Sequence, residues 1–353
     1  MQRLKFAILG CGRISYKHIE ALINNKEEAQ LVAVCDIIED KAKERKKQYE
    51  EAIENTDVKV YTDYLEMLGK EDIDVVSIAT ESGYHAKLAI DCMNHGIHVL
   101  VEKPMALSVA DADKMIATAK KNNKKICIAH QNRFNPPIQK LRKAIEEGRF
   151  GKIINGTARI LWTRDDNYYK QASWRGTRAL DGGTLMNQCI HNIDLLQWMM
   201  GSEVERVHCE RDTFLRNIEM EDFGAILIRF KNGSIGIVEG SACVYPKNLE
   251  ETLSIFGEKG TVVIGGLAVN EIKTWQFADE RDYDKIDESA EVDNVYGKGH
   301  TPLYKNFIDA INTNTEPLIN GKEGKKAMEI ILKAYDCLLD LSLIHISEPT
   351  RQA

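Results

Sequence analysis

The triplet Glu102-Lys103-Pro104 closes an apolar run, Ile97 to Val101, and stands downstream of a glycine turn, Gly10-Cys11-Gly12. That arrangement places a lysine beside a dinucleotide. An amine there can take the proton of an alcohol while a nicotinamide takes its hydride, so the pattern points to a dehydrogenase. A neighbouring positive charge and partial desolvation would draw the Lys103 amine down toward a useful base, although a solvated lysine before a helix carries the same letters.

The turn matches two positions of the dinucleotide fingerprint. Gly10 permits the tight turn, and Gly12, followed by Arg13 and Ile14, lets the backbone approach a pyrophosphate at a helix start. Ser15 stands where a third glycine would set helix-to-strand packing. Asp36 closes the second strand about 20 residues further on, where a carboxylate accepts ribose hydroxyls and repels a 2′-phosphate, so NAD is expected rather than NADP. Thr80, Ser82 and His85 follow the fourth strand, and Glu102, Lys103 and Gln131 follow later ones; all are assigned to the cofactor site. A histidine placed like His85, at a helix start, serves more often as a cap or packing residue than as a catalyst.

The elements that must position these groups follow an α/β rhythm. Strands at Lys5–Leu9, Ala29–Cys35, Val58–Tyr61, Val75–Ala79, His98–Val101 and Ile126–Ala129 alternate with helical stretches, which predicts a parallel Rossmann sheet over residues 1–130. From residue 131 the pattern changes to period-two runs at 153–162, 204–212, 221–230, 234–243, 251–257 and 260–264. These predict an α+β domain over 131–340 built on a large, open, mostly antiparallel sheet. Its uncovered face is expected to pair subunits into a homodimer or homotetramer, and helices near 301–313 and 322–339 are expected to return to the first domain.

One helix, read as continuous from Asp181 to Asp194, interrupts the strands and places Asn187 and His191 one turn apart. Such a face can aim an imidazole at a sugar hydroxyl, or simply bury a satisfied histidine.

Composition narrows the classes. A chain of 353 residues that is 43% hydrophobic and 29% charged is long enough for two cores, and its net charge of -7 offers no basic face to nucleic acid. The eight cysteines form no C-x-x-C pair and read as reduced, buried thiols. With no apolar run of about 18 residues and no room for a signal peptide before the first strand, a cytoplasmic location away from membranes is expected. No histidine and cysteine cluster has metal-ligand spacing, so no metal is expected. The run Leu341 to Arg351 reads as a translated transposase sequencing adapter; residues 341–353 are therefore treated as an artefact, with the native C-terminus expected to be missing.

The glycine turn, Glu102-Lys103-Pro104, Arg133-Phe134-Asn135-Pro136 and the Gly182-Gly183 helix with His191 together resemble the Gfo/Idh/MocA oxidoreductases across nearly all of residues 1–340. The resemblance implies oxidation or reduction of sugars and cyclitols with Lys103 and His191 as the catalytic pair. Many members carry an aspartate where Asn187 stands, which puts a carboxylate relay there in doubt. Within the family, the stretches Gln131–Pro137, Trp162–Tyr169, Trp174–Thr177 and Met186–Gln188 look like those of bacterial UDP-N-acetylglucosaminuronate 3-dehydrogenases. That implies hydride transfer from C3 of a nucleotide-linked hexuronic acid. Arg133, Arg164, Tyr168, Tyr169, Trp174, Arg175, Asn187 and Gln188 would then line the substrate site with Lys103 and His191, Arg164 and Arg175 binding carboxylate or diphosphate. A cyclitol or free-sugar dehydrogenase, such as one for myo-inositol, an NAD-dependent glycosidase of the same fold, and a cofactor-binding regulator without turnover stand as alternatives.

Overall fold

The protein is seen in a computed structural model that describes residues 3–54, 56–289, 291 and 294–337. The adapter-like run and the last residues of the 322–339 helix lie outside them.

Short runs of β-branched and small apolar residues alternate with amphipathic helices through the first part: β1 (Leu4–Leu9), α1 (Ser15–Asn24), β2 (Ala29–Cys35), α2 (Glu39–Ala52), β3 (Lys59–Tyr61), α3 (Tyr64–Lys70), β4 (Val75–Ile78), α4 (His85–Asn94), β5 (His98–Val101), α5 (Val109–Lys121) and β6 (Ile126–Ile128). The six strands are parallel in the order β3-β2-β1-β4-β5-β6, a Rossmann sheet. Phe6, Ile8, Val34, Val76, Val99 and Leu100 are buried within it, as a sheet covered on both faces requires. The strand order reverses between β1 and β4, which opens a crevice at their carboxyl ends.

The second part contains α6 (Pro136–Glu146), β7 (Ile153–Leu161), α7 (Asp166–Lys170), α8 (Gly183–Asn187), α9 (Ile190–Met200), β8 (Val204–Asp212), β9 (Phe223–Phe230), β10 (Ile235–Ser241), β11 (Glu250–Gly257), β12 (Gly260–Gly265), β13 (Glu271–Phe277), α10 (His300–Asn312) and α11 (Gly321–Asp336). Its seven strands run β13-β12-β11-β7-β10-β9-β8, antiparallel except for the β7–β10 pair. One face is packed by α9. Glycines make that contact close: a Cβ on Gly156 would meet Leu196 at 2.7 Å, and one on Gly240 would meet Cys189 Sγ at 2.6 Å. The other face leaves Leu227 and its cross-strand partner Ile237 exposed, beside Arg159 bonded to Glu239 and Glu250.

Strand β13 was not anticipated; its alternating Glu-Ile-Lys-Thr-Trp-Gln-Phe pairs along β12 at the sheet edge. The helix expected over 181–194 is two helices. The N–H groups of Gln188 and Cys189 both go to the Thr184 carbonyl, at 2.9 and 3.1 Å, which widens the turn and ends α8. Afterwards α10 packs on α1, while α11 packs on α5 and β6, where the Ile128 N–H donates to the Ile319 carbonyl at 2.9 Å. Among the described residues no helix is long and apolar enough to cross a membrane.

Candidate active site

Gly10 turns with φ of +92°, and a Cβ there would strike the Ala79–Thr80 backbone at 2.6 to 2.7 Å, so the close crossing of β1 and β4 admits only glycine. Gly12 has open space around its missing Cβ, the cradle a pyrophosphate needs at the start of α1. Asp36 closes β2, accepting the Cys11 N–H at 2.7 Å and the Ile38 N–H at 2.8 Å. The carboxylate thereby ties the glycine turn to the ribose end of the crevice. Ile37 is 86% exposed and Ile38 half-exposed beside it, an apolar platform for a purine that the sequence reading missed. Arg13 is exposed and reaches over the Tyr296 ring at 5.8 Å. These residues fit a dinucleotide: Gly10, Gly12, Arg13 and Ile14 would hold the pyrophosphate and Asp36 the ribose.

His85, Glu102 and Ser82, assigned to the cofactor site, are buried. His85 is 1% exposed, with Nδ1 2.7 Å from the Pro104 carbonyl and Nε2 3.1 Å from the Thr80 carbonyl. It pins the Lys103–Pro104 loop to the end of β4 through both ring nitrogens; burial lowers its pKa. Glu102 turns inward, bonded to His18, His300 and the Lys103 N–H. In space these bring the ligand-type atoms of His18, Glu102 and His300 within 4.8 Å of one another, a grouping that no sequence spacing reveals. Ser82 is also buried, at the start of a single 3-10 turn. Thr80 remains half-buried at the crevice, and Gln131 is buried with its Oε1 unpartnered.

Lys103 follows β5 after the Glu102 carbonyl, with its peptide to Pro104 in the cis form. Its Nζ donates to the Asn187 carbonyl at 2.8 Å. Burial lowers its pKa, Glu102 and Asp181 raise it, and Arg164 and Arg175 lower it, with a net fall from the usual lysine value. His191 lies in the first turn of α9, half-buried, its Nδ1 unpartnered; burial and the nearby Lys103 hold it well below the usual histidine range, so the ring is neutral. His130, absent from the sequence reading, sits edge-on to it with ring centroids 5.6 Å apart, both nitrogens unpartnered. Asn187 presents no carboxylate, but its Nδ2 donates to Asp181, a buried acid whose pKa burial raises and which also accepts the Gly176 N–H at 2.6 Å. A carboxylate six residues upstream thus bonds the side chain at position 187.

On the substrate side, the Tyr168 ring lies between two guanidiniums, Arg175 at 4.2 Å and Arg164 at 5.2 Å from its centroid. Trp162 stacks on Arg164 at 4.6 Å and Trp174 on Arg175 at 4.8 Å. Gln188 Nε2 donates to the Tyr168 hydroxyl at 3.1 Å, and Tyr169 packs edge-on against Tyr168. Neither Arg164 nor Arg175 forms an ion pair with a carboxylate among the described residues. Arg133 is the exception to the grouping. It is fully buried, forked onto Asp194 at 2.7 and 2.7 Å and bonded to Glu323 at 3.2 Å, so it joins α9 to α11.

Residues 4–130 match the family described as GFO_IDH_MocA, oxidoreductase family, NAD-binding Rossmann fold, and residues 138–263 match the GFO/IDH/MocA C-terminal domain. The WlbA dehydrogenase from Bordetella pertussis, solved in complex with NADH and UDP-GlcNAcA, is 37% identical, with a TM-score of 0.89 over 97% of this chain and 99% of that one. The WlbA dehydrogenase from Chromobacterium violaceum, in the same kind of complex, is 37% identical with a TM-score of 0.86 over 96% of this chain and 95% of that one. The myo-inositol 2-dehydrogenase of Thermotoga maritima is 26% identical over 352 residues, 98% of this chain and 99% of that protein.

Proposed function

Because the chain belongs to the GFO/IDH/MocA oxidoreductases, NAD-dependent enzymes acting on sugar hydroxyls, we propose that it oxidises C3 of a UDP-linked N-acetylhexosaminuronic acid. Residues 1–130 would carry the dinucleotide, and residues 131–340 the substrate and the contact between subunits. The observation that carries this reading is the Arg164–Tyr168–Arg175 stack. Two guanidiniums without an ion-pair partner, both close enough to depress the Lys103 amine, are costly to keep together unless a ligand brings negative charge. A uronate carboxylate and a diphosphate do so; a neutral cyclitol does not.

NAD, when bound, accepts the hydride. Lys103 Nζ takes the hydroxyl proton, so the C–H electron pair leaves on hydride, the O–H bond breaks toward nitrogen, and a carbonyl forms. Neutral His191 addresses the same hydroxyl from α9, and the two titrate as a coupled pair. Tyr168, Tyr169, Trp174, Gln188 and Asn187 shape the pocket. The free thiols suit the reducing cytosol. Exposed Leu227 and Ile237 suit a subunit interface on the open sheet face, as a dimer or tetramer.

The test is absorbance of reduced nicotinamide with NAD and UDP-N-acetylglucosaminuronic acid, UDP-N-acetylglucosamine, myo-inositol or free hexoses. Reduction with the uronate alone is expected. Reduction with myo-inositol instead would discard the nucleotide-sugar assignment and favour the chemistry named for the Thermotoga maritima relative.

A further inference from the structure

Behind Lys103 a line of polar side chains crosses the interior. Ser77 Oγ on β4 and Tyr304 Oη on α10 lie 2.7 Å apart, Tyr304 Oη lies 2.7 Å from His18 Nδ1, and His18 Nε2 lies 3.0 Å from Glu102 Oε1. His300 Nε2 approaches the same carboxylate oxygen at 3.4 Å, and Glu102 Oε2 accepts the Lys103 main-chain N–H at 3.2 Å. None of these five residues exceeds 5% exposure. The site chemistry described above does not use them.

Burial alone would raise the Glu102 pKa, but the bonds from His18 and His300 outweigh it and hold the group well below the carboxylate range. An ionised oxygen needs donors, so both imidazoles must present Nε2–H. The Tyr304 hydroxyl, itself bonded to Ser77 Oγ, holds the His18 ring at its Nδ1 edge.

We propose that this line is a positioning device for Lys103, in which Glu102 fixes the lysine main chain and supplies a fixed negative charge behind the amine that balances the reaction. The idea rests on Lys103 being the proton acceptor. Before the step, the positive charge belongs to the oxidised nicotinamide and the amine is neutral; after it, the nicotinamide is neutral and the amine carries the charge. The sum stays at one. A buried site tolerates that only with a fixed counter-charge, and Glu102 stands directly behind the residue that receives it. The other charged or titratable groups facing Lys103 are Asp181 before α8, Arg164 after β7, Arg175 after α7, His191 on α9 and His130 after β6. Of the two acids, Asp181 is engaged by Asn187 and by a main-chain N–H on the substrate side.

The test reads Lys103 itself in the unliganded protein, through the pH dependence of its acetylation by acetic anhydride followed by peptide mass spectrometry. Glu102→Gln removes the charge and keeps the size. Its Lys103 midpoint is expected to fall by about one pH unit or more, as loss of an adjacent opposite charge requires. The acid limb of kcat/KM should fall with it, a change that mere loosening of the loop would not give. Tyr304→Phe keeps the charge and should leave the midpoint in place while lowering kcat. Should Glu102→Gln fail to fold, Glu102→Asp draws the carboxylate back and should move the midpoint in the same direction. An unchanged midpoint in the folded Glu102 variant overturns the proposal. If Lys103→Ala is inactive in that case, the lysine keeps its role as base and only the counter-charge is lost; an active Lys103→Ala removes the base itself.

Discussion

Lys103 Nζ donates to the Asn187 carbonyl at 2.8 Å, which joins the end of β5 to the end of α8 and so couples the two sheets. A continuous helix would give that carbonyl to the His191 N–H. The break after α8 frees it for the lysine and lets His191 start a new helix at a different angle. One backbone irregularity therefore places both halves of the proposed catalytic pair. As a neutral amine, Lys103 can keep this bond through one N–H while its lone pair remains for a hydroxyl proton.

Replacing Lys103 by Ala is expected to lower kcat by about 10²–10⁴-fold, the range for removing a general base. NADH binding, followed by fluorescence titration, should stay near wild type because the pyrophosphate and ribose groups lie elsewhere. The sign of the pH effect follows from the depressed amine. Lys103 must be neutral to act, so oxidation should rise with pH and reach its plateau below the ordinary lysine value of 10.5. Near wild-type turnover in the variant would remove the residue from the mechanism.

Asp36→Ala should cut the preference for NAD over NADP by about 10- to 100-fold, the worth of charge-assisted bonds to a ribose plus relief of repulsion. The ratio of kcat/KM for the two cofactors measures it. The aspartate also holds the Cys11 N–H of the glycine turn, so NAD affinity should weaken as well. A variant that discriminates as before would mean that the ribose is read by another group.

The Rossmann half was legible because its signals are local: period and glycine turns within a few residues mark every strand and the cofactor end. The second sheet was legible through β12, and β13 was lost because a charged edge strand dilutes its alternation. Failures at the site share one cause, that burial is not local. Arg133 read as a substrate-site arginine, and Asp194, sixty-one residues away in sequence, closes on it in a buried fork. Glu102 looked like a ligand contact until two histidines from α1 and α10 took it inward. Asp181 was visible as a letter, yet its bond to Asn187 depends on the helix break, which no periodicity announces.

Arg164→Ala and Arg175→Ala are expected to raise KM for the uronate by about 10- to 100-fold each, the worth of a charge-assisted bond, with a smaller effect on kcat. Both should also let the Lys103 amine rise, since each guanidinium pushes it down. The acid limb of the rate profile should therefore move to higher pH in either variant. Unchanged KM in both would show that the stack binds no anion.

Glu251 on β11 offers a test of stability that does not depend on the chemistry. It is 4% exposed, and burial pushes its carboxyl up to about 8 from 4.5, with Asn192 and Arg164 acting in the other direction. A carboxyl raised on folding is protonated in the native state over a range where the unfolded chain has already released the proton. The native state thus binds more protons, and stability falls as pH rises from about 4.5 to about 8, after which the cost is complete. Glu251→Gln cannot ionise and should escape this loss. Thermal melts should show nearly equal midpoints for the two proteins at pH 4.5 and a variant more stable by a few °C at pH 9, on the order that a kcal/mol or more gives a domain of this size. Equal differences at both pH values would mean that the Glu251 carboxyl does not bind its proton more tightly in the folded than in the unfolded chain.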